Sequence, residues 1–240
     1  MTVLDCSISL RTAGDKSCAL ALESLESRIT PADFMWYPSV VIGGQVGNNW
    51  SLGVNWFTKN AVGVYVQQSV AVPGAGDNVL FPSNGATGGS LCNVNIAGGV
   101  GVASLRLEGR YTLVLKNPLT ISVGLMACHA DSTIEAGSTS QSFNVLTIAN
   151  GAELDWRRGY FSGIDVNVTS ASSMSVYQPA QMDKYLQPYD RNMANSRITI
   201  SNSATLRWDN GDVHVIGTMY NSHLTIASGG RFIMGANGYT

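Results

Sequence analysis

The chain has 240 residues, of which 45% are hydrophobic and only 12% charged, with a formal net charge of −2. The charged share is about half the usual one, so Asn, Ser, Thr and Gly do most of the solvating. No block of Lys or Arg offers a footprint for nucleic acid or anionic lipid, and no apolar run reaches the roughly 18 residues that span a bilayer. A nucleic-acid partner and a membrane span are therefore not expected.

Residues 1–34 read as a leader. Asp5, Arg11, Asp15 and Lys16 interrupt its apolar residues, so no clean secretory signal stands at the start. A helix-prone patch covers residues 18–26, and Pro31 ends it. Residues 35–100 are rich in Gly, Asn, Trp and Val. Short β-like runs at 62–66, 78–81 and 91–96 alternate there with Gly and Pro punctuation. This region is expected to cap residues 101–240.

Residues 101–240 carry a repeat. Apolar residues fall at positions 1, 3, 9 and 11 of a short unit, as in Leu105/Leu107/Leu113/Leu115. The other copies are Met126/Cys128/Ile134/Ala136, Leu146/Ile148/Leu154/Trp156, Val166/Val168/Met174/Val176, Ile198/Ile200/Leu206/Trp208 and Leu224/Ile226/Phe232/Met234. Their starts are separated by 21, 20, 20, 32 and 26 residues. A period of this size marks stacked-repeat architecture. Each apolar–polar–apolar triplet is the signature of a strand with one buried face. The five small or polar residues between triplets suit a tight bend, because Gly and Asn accept left-handed backbone angles.

Two architectures produce this pattern. In the first, an all-β, right-handed parallel β-helix (a solenoid), about six coils run from residue 101 on. Position 1 then stacks as a column Leu, Met, Leu, Val, Ile, Leu, and stretches such as 142–145 supply a third strand. In the second, a β-sandwich or antiparallel meander, each unit is a hairpin. No unit carries an Asn-Gly or Asp-Gly centre placed for a two-residue hairpin, and the longer spacings look like loops inserted between fixed coils, so the first is preferred. Right-handedness is the hand of known solenoids rather than a reading of these residues. A solenoid has two open ends. The last copy lies close to Thr240, so the chain is expected to be the N-terminal piece of a longer protein.

Two stretches resemble known proteins. Residues 22–32 read LESLESRITPA. Through Leu22, Glu23, Leu25, Glu26, Arg28, Pro31 and Ala32 they resemble the leader of large exported planctomycete proteins, although Ala19-Leu20-Ala21 stands where a basic run is usual. NNWSLGVNWF and VPGAGDNVLF, within residues 48–81, resemble the opening of autotransporter-like surface repeats in the same bacteria. Trp50, Asn55, Trp56, Pro73, Gly74, Gly76, Asp77 and Val79 occupy the matching places. The resemblance implies an exported or cell-surface protein whose opening leads into a pectin-lyase-like β-helix.

Few residues invite chemistry. Asp155, Asp165, Asp209 and Asp212 lie near Arg157, Arg158 and Arg207 in sequence. Asp155 and Arg207 share one unit position two copies apart, with Ser175 between them; a solvated polar face with one weak ion pair is the expectation. Residues 209–212 read as a turn, lacking the ligands of a calcium loop. His129, His214 and His223 are scattered without zinc spacing. No catalytic residue, cofactor or metal site is assigned. Cys92 and Cys128 are either a disulfide or two buried thiols. Trp156 and Trp208 share a unit position, where a core role outweighs a stacking platform. The strongest binding candidate is the long insertion, residues 177–196. There Tyr177, Asp183, Tyr185, Tyr189, Asp190 and Arg191 combine aromatic faces with hydrogen-bonding groups suited to a glycan, unless the loop packs its tyrosines back on the coil.

The sequence thus predicts an extracellular or cell-surface structural or adhesive scaffold without catalytic activity. The rival is a carbohydrate-binding or polysaccharide-cleaving module. Carbohydrate and other surface proteins are the expected partners.

Overall fold

Alternation sets the strands of this chain: small turns separate four-residue segments whose odd or even side chains face one apolar interior. The computed structural model describes residues 32–38, 47–68, 70–83, 91–128, 132–176, 191–208, 214–215 and 222–234. All belong to one compact unit that begins at Ala32, so residues 32–34 of the expected leader are part of it; residues 1–31 lie outside the described residues.

The unit opens with β1 (Asp33–Trp36), β2 (Trp56–Lys59) and β3 (Tyr65–Gln67). A three-strand cycle then begins with β4 (Asn78–Phe81), β5 (Leu91–Val94) and β6 (Val100–Val102). It continues through β7 (Ser104–Leu107), β8 (Thr112–Leu115), β9 (Leu119–Ser122), β10 (Leu125–Cys128), β11 (Thr133–Ala136) and β12 (Val145–Ala149). Next come β13 (Glu153–Trp156), β14 (Gly159–Ser162), β15 (Asp165–Val168), β16 (Ser173–Val176), β17 (Arg191–Ala194) and β18 (Arg197–Ile200). The series closes with β19 (Thr205–Trp208), β20 (His214–Val215), β21 (His223–Ile226) and β22 (Arg231–Met234). Two single 3-10 turns are the only helical elements among the described residues.

From β4 onward each strand pairs in parallel with the strand three places later. The result is a ten-stranded sheet, β22-β19-β16-β13-β10-β7-β4-β1-β2-β3, and two six-stranded sheets, β20-β17-β14-β11-β8-β5 and β21-β18-β15-β12-β9-β6. Among the described strands only the β1–β2 and β2–β3 pairs are antiparallel. The antiparallel meander is thereby excluded for the repeat region. Leu146, Val166 and Ile198 stand side by side on parallel neighbours, as the stacking expectation requires.

The register corrects the sequence reading in three ways. First, the cycle starts at Asn78, upstream of residue 101, since β4, β5 and β6 join the same sheets as later strands. Second, the expected column Leu, Met, Leu, Val, Ile, Leu is two columns. Leu105 and Met126 lie in the ten-stranded sheet, followed by Leu154 and Met174. Leu146, Val166, Ile198 and Leu224 follow Leu119 in a six-stranded sheet. Two apolar pairs separated by five residues are made equally well by either of two corners of the cycle, so spacing alone could not identify the sheet. Third, residues 142–145 supply no third strand. Gln141–Phe143 is a 3-10 turn inside an inserted loop, and Val145 begins β12. Buried Asn144 pins that loop, accepting from the Ser138 N–H at 3.0 Å and donating to the Ser138 carbonyl at 2.8 Å.

The bends expected between triplets are present. Asn150–Gly151, Ser170–Ala171 and Asn202–Ser203 have both φ angles positive, the backbone of type I′ turns. Hydrogen bonds stack the turns on each other, Gly151 to the Ser170 carbonyl at 3.2 Å and Ser203 to the Gly229 carbonyl at 2.9 Å. Asn150–Gly151 joins β12 to β13, which lie in different sheets, so this Asn-Gly turns a corner instead of closing a hairpin.

Inside, the side chains form continuous columns. Val79, Leu105, Met126, Leu154, Met174 and Leu206 make one; Leu119, Leu146, Val166 and Ile198 make another; all are buried. Each fully buried Leu or Val contributes about 1.5–3 kcal/mol. At the N-terminal end the columns meet an aromatic plug of Trp36, Trp50, Trp56 and Phe81. Trp56 packs edge-on against Trp36 and Trp50, both at 4.8 Å between ring centroids.

The resemblance motif builds this cap. The Trp50 ring N–H donates to the Pro73 carbonyl at 3.3 Å, and Trp56 to the Trp50 carbonyl at 2.8 Å. Asn55 donates to the Gly47 and Asn49 carbonyls at 2.7 and 2.9 Å. Asp77 accepts from the Gly74 and Ala32 N–H groups at 2.9 and 3.0 Å.

Candidate functional site

With the interior filled by apolar columns, polar chemistry is confined to the outer faces and corners. Of the predicted glycan loop, Tyr177, Asp183, Tyr185, Tyr189 and Asp190 lie outside the described residues. Arg191 opens β17, its backbone opposite Gly159 of β14. Asp209 and Asp212 also lie outside the described residues, as does His129.

The expected Asp155–Ser175–Arg207 column is present on the outer face of the ten-stranded sheet. Asp155 is nevertheless mostly buried and is held by Arg157, just past the end of its strand, with Nε donating at 2.8 Å. Ser175 donates to Glu153 at 2.9 Å. Behind this face sits Cys128, whose thiol is pushed up to about 12, first by burial and then by the Asp155 charge. Cys92 is raised by burial as well. Both thiols are free, so no disulfide joins them. Neither is ionised near neutrality, which leaves them without nucleophilic character.

Trp156 is fully buried and stacks on Phe161 with centroids 4.4 Å apart, inside the core. It offers no external platform. Its ring N–H, like that of Trp36, has no hydrogen-bond partner, a deficit worth about 1–3 kcal/mol that the surrounding aromatic packing offsets. Trp208 pairs by backbone with Val176 and Met234.

Two polar grooves mark the outside. The smaller, of about 330 Å³, is lined by Gln141, Asp165, Asn195, Arg197 and His223. Arg197 grips Asp165 with two bonds of 2.8 and 2.6 Å across adjacent strands, and this carboxylate raises the guanidinium above its ordinary value. His223 lies next in the same column.

The larger groove, of about 350 Å³, lies where the antiparallel strands meet the parallel ones. Its polar floor is a single row across five strands. Tyr65 stands opposite Lys59, Asp33 opposite Asn78, and Asn78 opposite Ser104, while the β1–β2 register sets Lys59 beside Asp33. Every step of the row is bonded. The Lys59 ammonium sits 5.4 Å from the Tyr65 ring centroid and 3.6 Å from the Asp33 carboxylate. Asn78 donates to Asp33 at 3.1 Å, and Ser104 donates to Asn78 at 2.6 Å. Arg106 flanks the row and is paired with Glu108.

Sequence reasoning missed this row. Its members belong to strands far apart in the chain, and nothing in local spacing ties Asp33 to Ser104. Each groove has one carboxylate in its lining, Asp33 or Asp165, whereas glycoside hydrolysis uses a pair. Among the described residues no three His, Cys, Asp or Glu groups lie together so as to hold a metal ion. No described helix is long and apolar enough to cross a membrane. In comparisons with known proteins, no family model, no curated protein and no solved structure matches this chain.

Proposed function

We propose that this chain is a right-handed parallel β-helix serving as a non-catalytic scaffold of an exported or cell-surface protein, structural or adhesive in role. The observation that carries the reading is the unbroken three-strand cycle, with β4 to β22 stacked in parallel register over continuous apolar columns. Parallel crossovers within a sheet are right-handed in about 98% of cases, which supports the hand. A stack of this kind resists bending because every layer is tied to two neighbours by backbone ladders. Low charge and outward Thr and Asn, such as Thr120, Thr147, Asn167, Thr199 and Thr225 along one outer column, suit a hydrated spacer. The leader and cap motifs that resemble exported surface proteins support the location.

The test is surface exposure and turnover together. Intact cells producing the full chain should label with a membrane-impermeant amine reagent on this protein. The purified chain should release no reducing ends from neutral or acidic polysaccharides. Labelling only after lysis, or measurable cleavage, would contradict the proposal.

A further inference from the structure

We infer that the Tyr65–Lys59–Asp33–Asn78–Ser104 row is a binding subsite for a short neutral oligosaccharide, laid across the strands along the row. Three observations lead there.

The first is capacity. Lys59 has three N–H donors, Asn78 two donors and one acceptor oxygen, and Asp33 two acceptor oxygens with about four lone-pair sites. The bonds within the row use one donor of Asn78 and one lone pair of its oxygen. They use a single contact of Lys59 to Asp33. Donors and acceptors therefore remain side by side along the row, the arrangement that vicinal hydroxyls demand, since each hydroxyl both gives and takes a hydrogen bond.

The second is charge. The two cations at the groove, Lys59 and Arg106, each face a carboxylate, Asp33 and Glu108. An anionic sugar would find its charge already answered, and a cationic one likewise. A neutral chain loses nothing on either count.

The third is shape. A groove of about 350 Å³ is at the lower end of small-ligand sites, roughly 300–1,000 Å³. The row crosses five strands, and at about 4.8 Å per strand it runs roughly 19 Å, the reach of a short oligosaccharide. The half-buried Tyr65 ring closes one end; the Lys59 ammonium lies over one of its faces, and the other is the apolar face proposed to stack on a pyranose ring. Two hydrogen bonds hold Asp33, Asn78 and Ser104 together before any ligand arrives, so little ordering entropy is lost at that part of the row on binding.

The inference rests on β1–β4 and β7 alone and is independent of whether the whole protein is a surface scaffold. Its test is titration of the full chain with a panel of neutral oligosaccharides (gluco-, xylo-, manno- and chito-configured) and one uronic acid series, read by calorimetry. At least one neutral series is expected to bind. Asp33→Asn and Tyr65→Ala should each weaken it about tenfold, the loss of one hydrogen bond to a charged group or one stacking face. Phe143→Ala, at an exposed aromatic on the inserted loop, should leave it unchanged. If Tyr65→Ala lowers thermal stability, Tyr65→Trp supplies the second reading, binding within about threefold of the parent with the ring face kept. The proposal is overturned if no neutral series binds, if only uronic acids bind, or if Asp33→Asn binds as tightly as the parent.

Discussion

The two ends of the described stack solve the same problem differently. At the N-terminal end, Trp36, Trp50 and Trp56 are each 0% exposed and lie under the β1–β3 strands. At the other end, Leu224 and Phe232 continue the buried columns in register, yet they are 45% and 48% exposed. Among the described residues, each end of the stack has a last row of strands and a last apolar layer to cover. The cap meets both needs at once. The antiparallel hairpin pairs with β1, residues 48–50 bond the β5 edge through Asn93, and the indoles cover the columns. The lesson is that layers of identical sequence pattern differ in stability according to what lies above them.

The largest expected effect breaks the capped end. Trp56→Ala removes the centre of the plug and the hydrogen bond to the Trp50 carbonyl, and should cost about 3–5 kcal/mol in urea denaturation. Phe232→Ala, at a half-exposed ring, should cost less than half of that. Equal losses would erase the distinction between the ends. Next is the interior against the edge: Leu146→Ala should cost about 2–5 kcal/mol, and Leu224→Ala clearly less. Hydrogen exchange should order the backbone the same way, with amides of β10–β16 outlasting those of β21 and β22.

A smaller effect sharpens the cap itself. A Cβ at Gly53 would lie 2.7 Å from the Val70 backbone, so Gly53→Ala forces two main-chain segments apart and should cost about 1–3 kcal/mol in melting experiments. The corresponding change at Gly74, where a Cβ meets nothing, should be tolerated.

Alkaline pH probes the core between the ends. Cys128 has its thiol raised from the ordinary 9.0 to about 12, chiefly by burial. The unfolded chain ionises this thiol near 9.0 and the folded one does not, so the thiol's contribution is whole below that pH and is lost as pH climbs toward 12. The stability gap between the parent and Cys128→Ala should narrow over that window. A constant gap would show that the thiol is not sequestered. The smallest effect belongs to Arg197→Gln: the pair with Asp165 is exposed, and such pairs are worth roughly 0.2–1 kcal/mol.

Much of the fold was legible in the sequence, and the reason is physical. Strands that bury one face announce it by alternation, so Leu105, Leu107, Leu146, Ile148, Val166 and Val168 were all placed inside correctly. Sheet membership was not legible. β14 and β17 each turn a single large apolar residue inward, Phe161 and Met193, so the third strand of the cycle left too faint a pattern to count. Of the cap strands only β3 overlaps an expected run, residues 62–66, while β1 and β2 were not read as strands. Their pairing was not legible either, because an antiparallel hairpin beside a parallel strand obeys no spacing rule. The candidate row from Tyr65 to Ser104 exists only through that pairing, and it stayed hidden for the same reason. Asp155 and Arg207 were placed in one column correctly, but alternation could not reveal that Arg157 takes the carboxylate.

Cross-linking of outward-facing neighbours probes the stacking most directly. Cysteines introduced as Thr147→Cys with Asn167→Cys face each other on adjacent parallel strands, about 4.8 Å apart along the ladder and within disulfide reach. Thr147→Cys with Thr199→Cys are two strands apart, roughly 10 Å and beyond it. Mass spectrometry after mild oxidation should find the first disulfide and not the second. A second pair that bridges as readily as the first, or a first pair that stays reduced, would contradict the stacked parallel order of these strands.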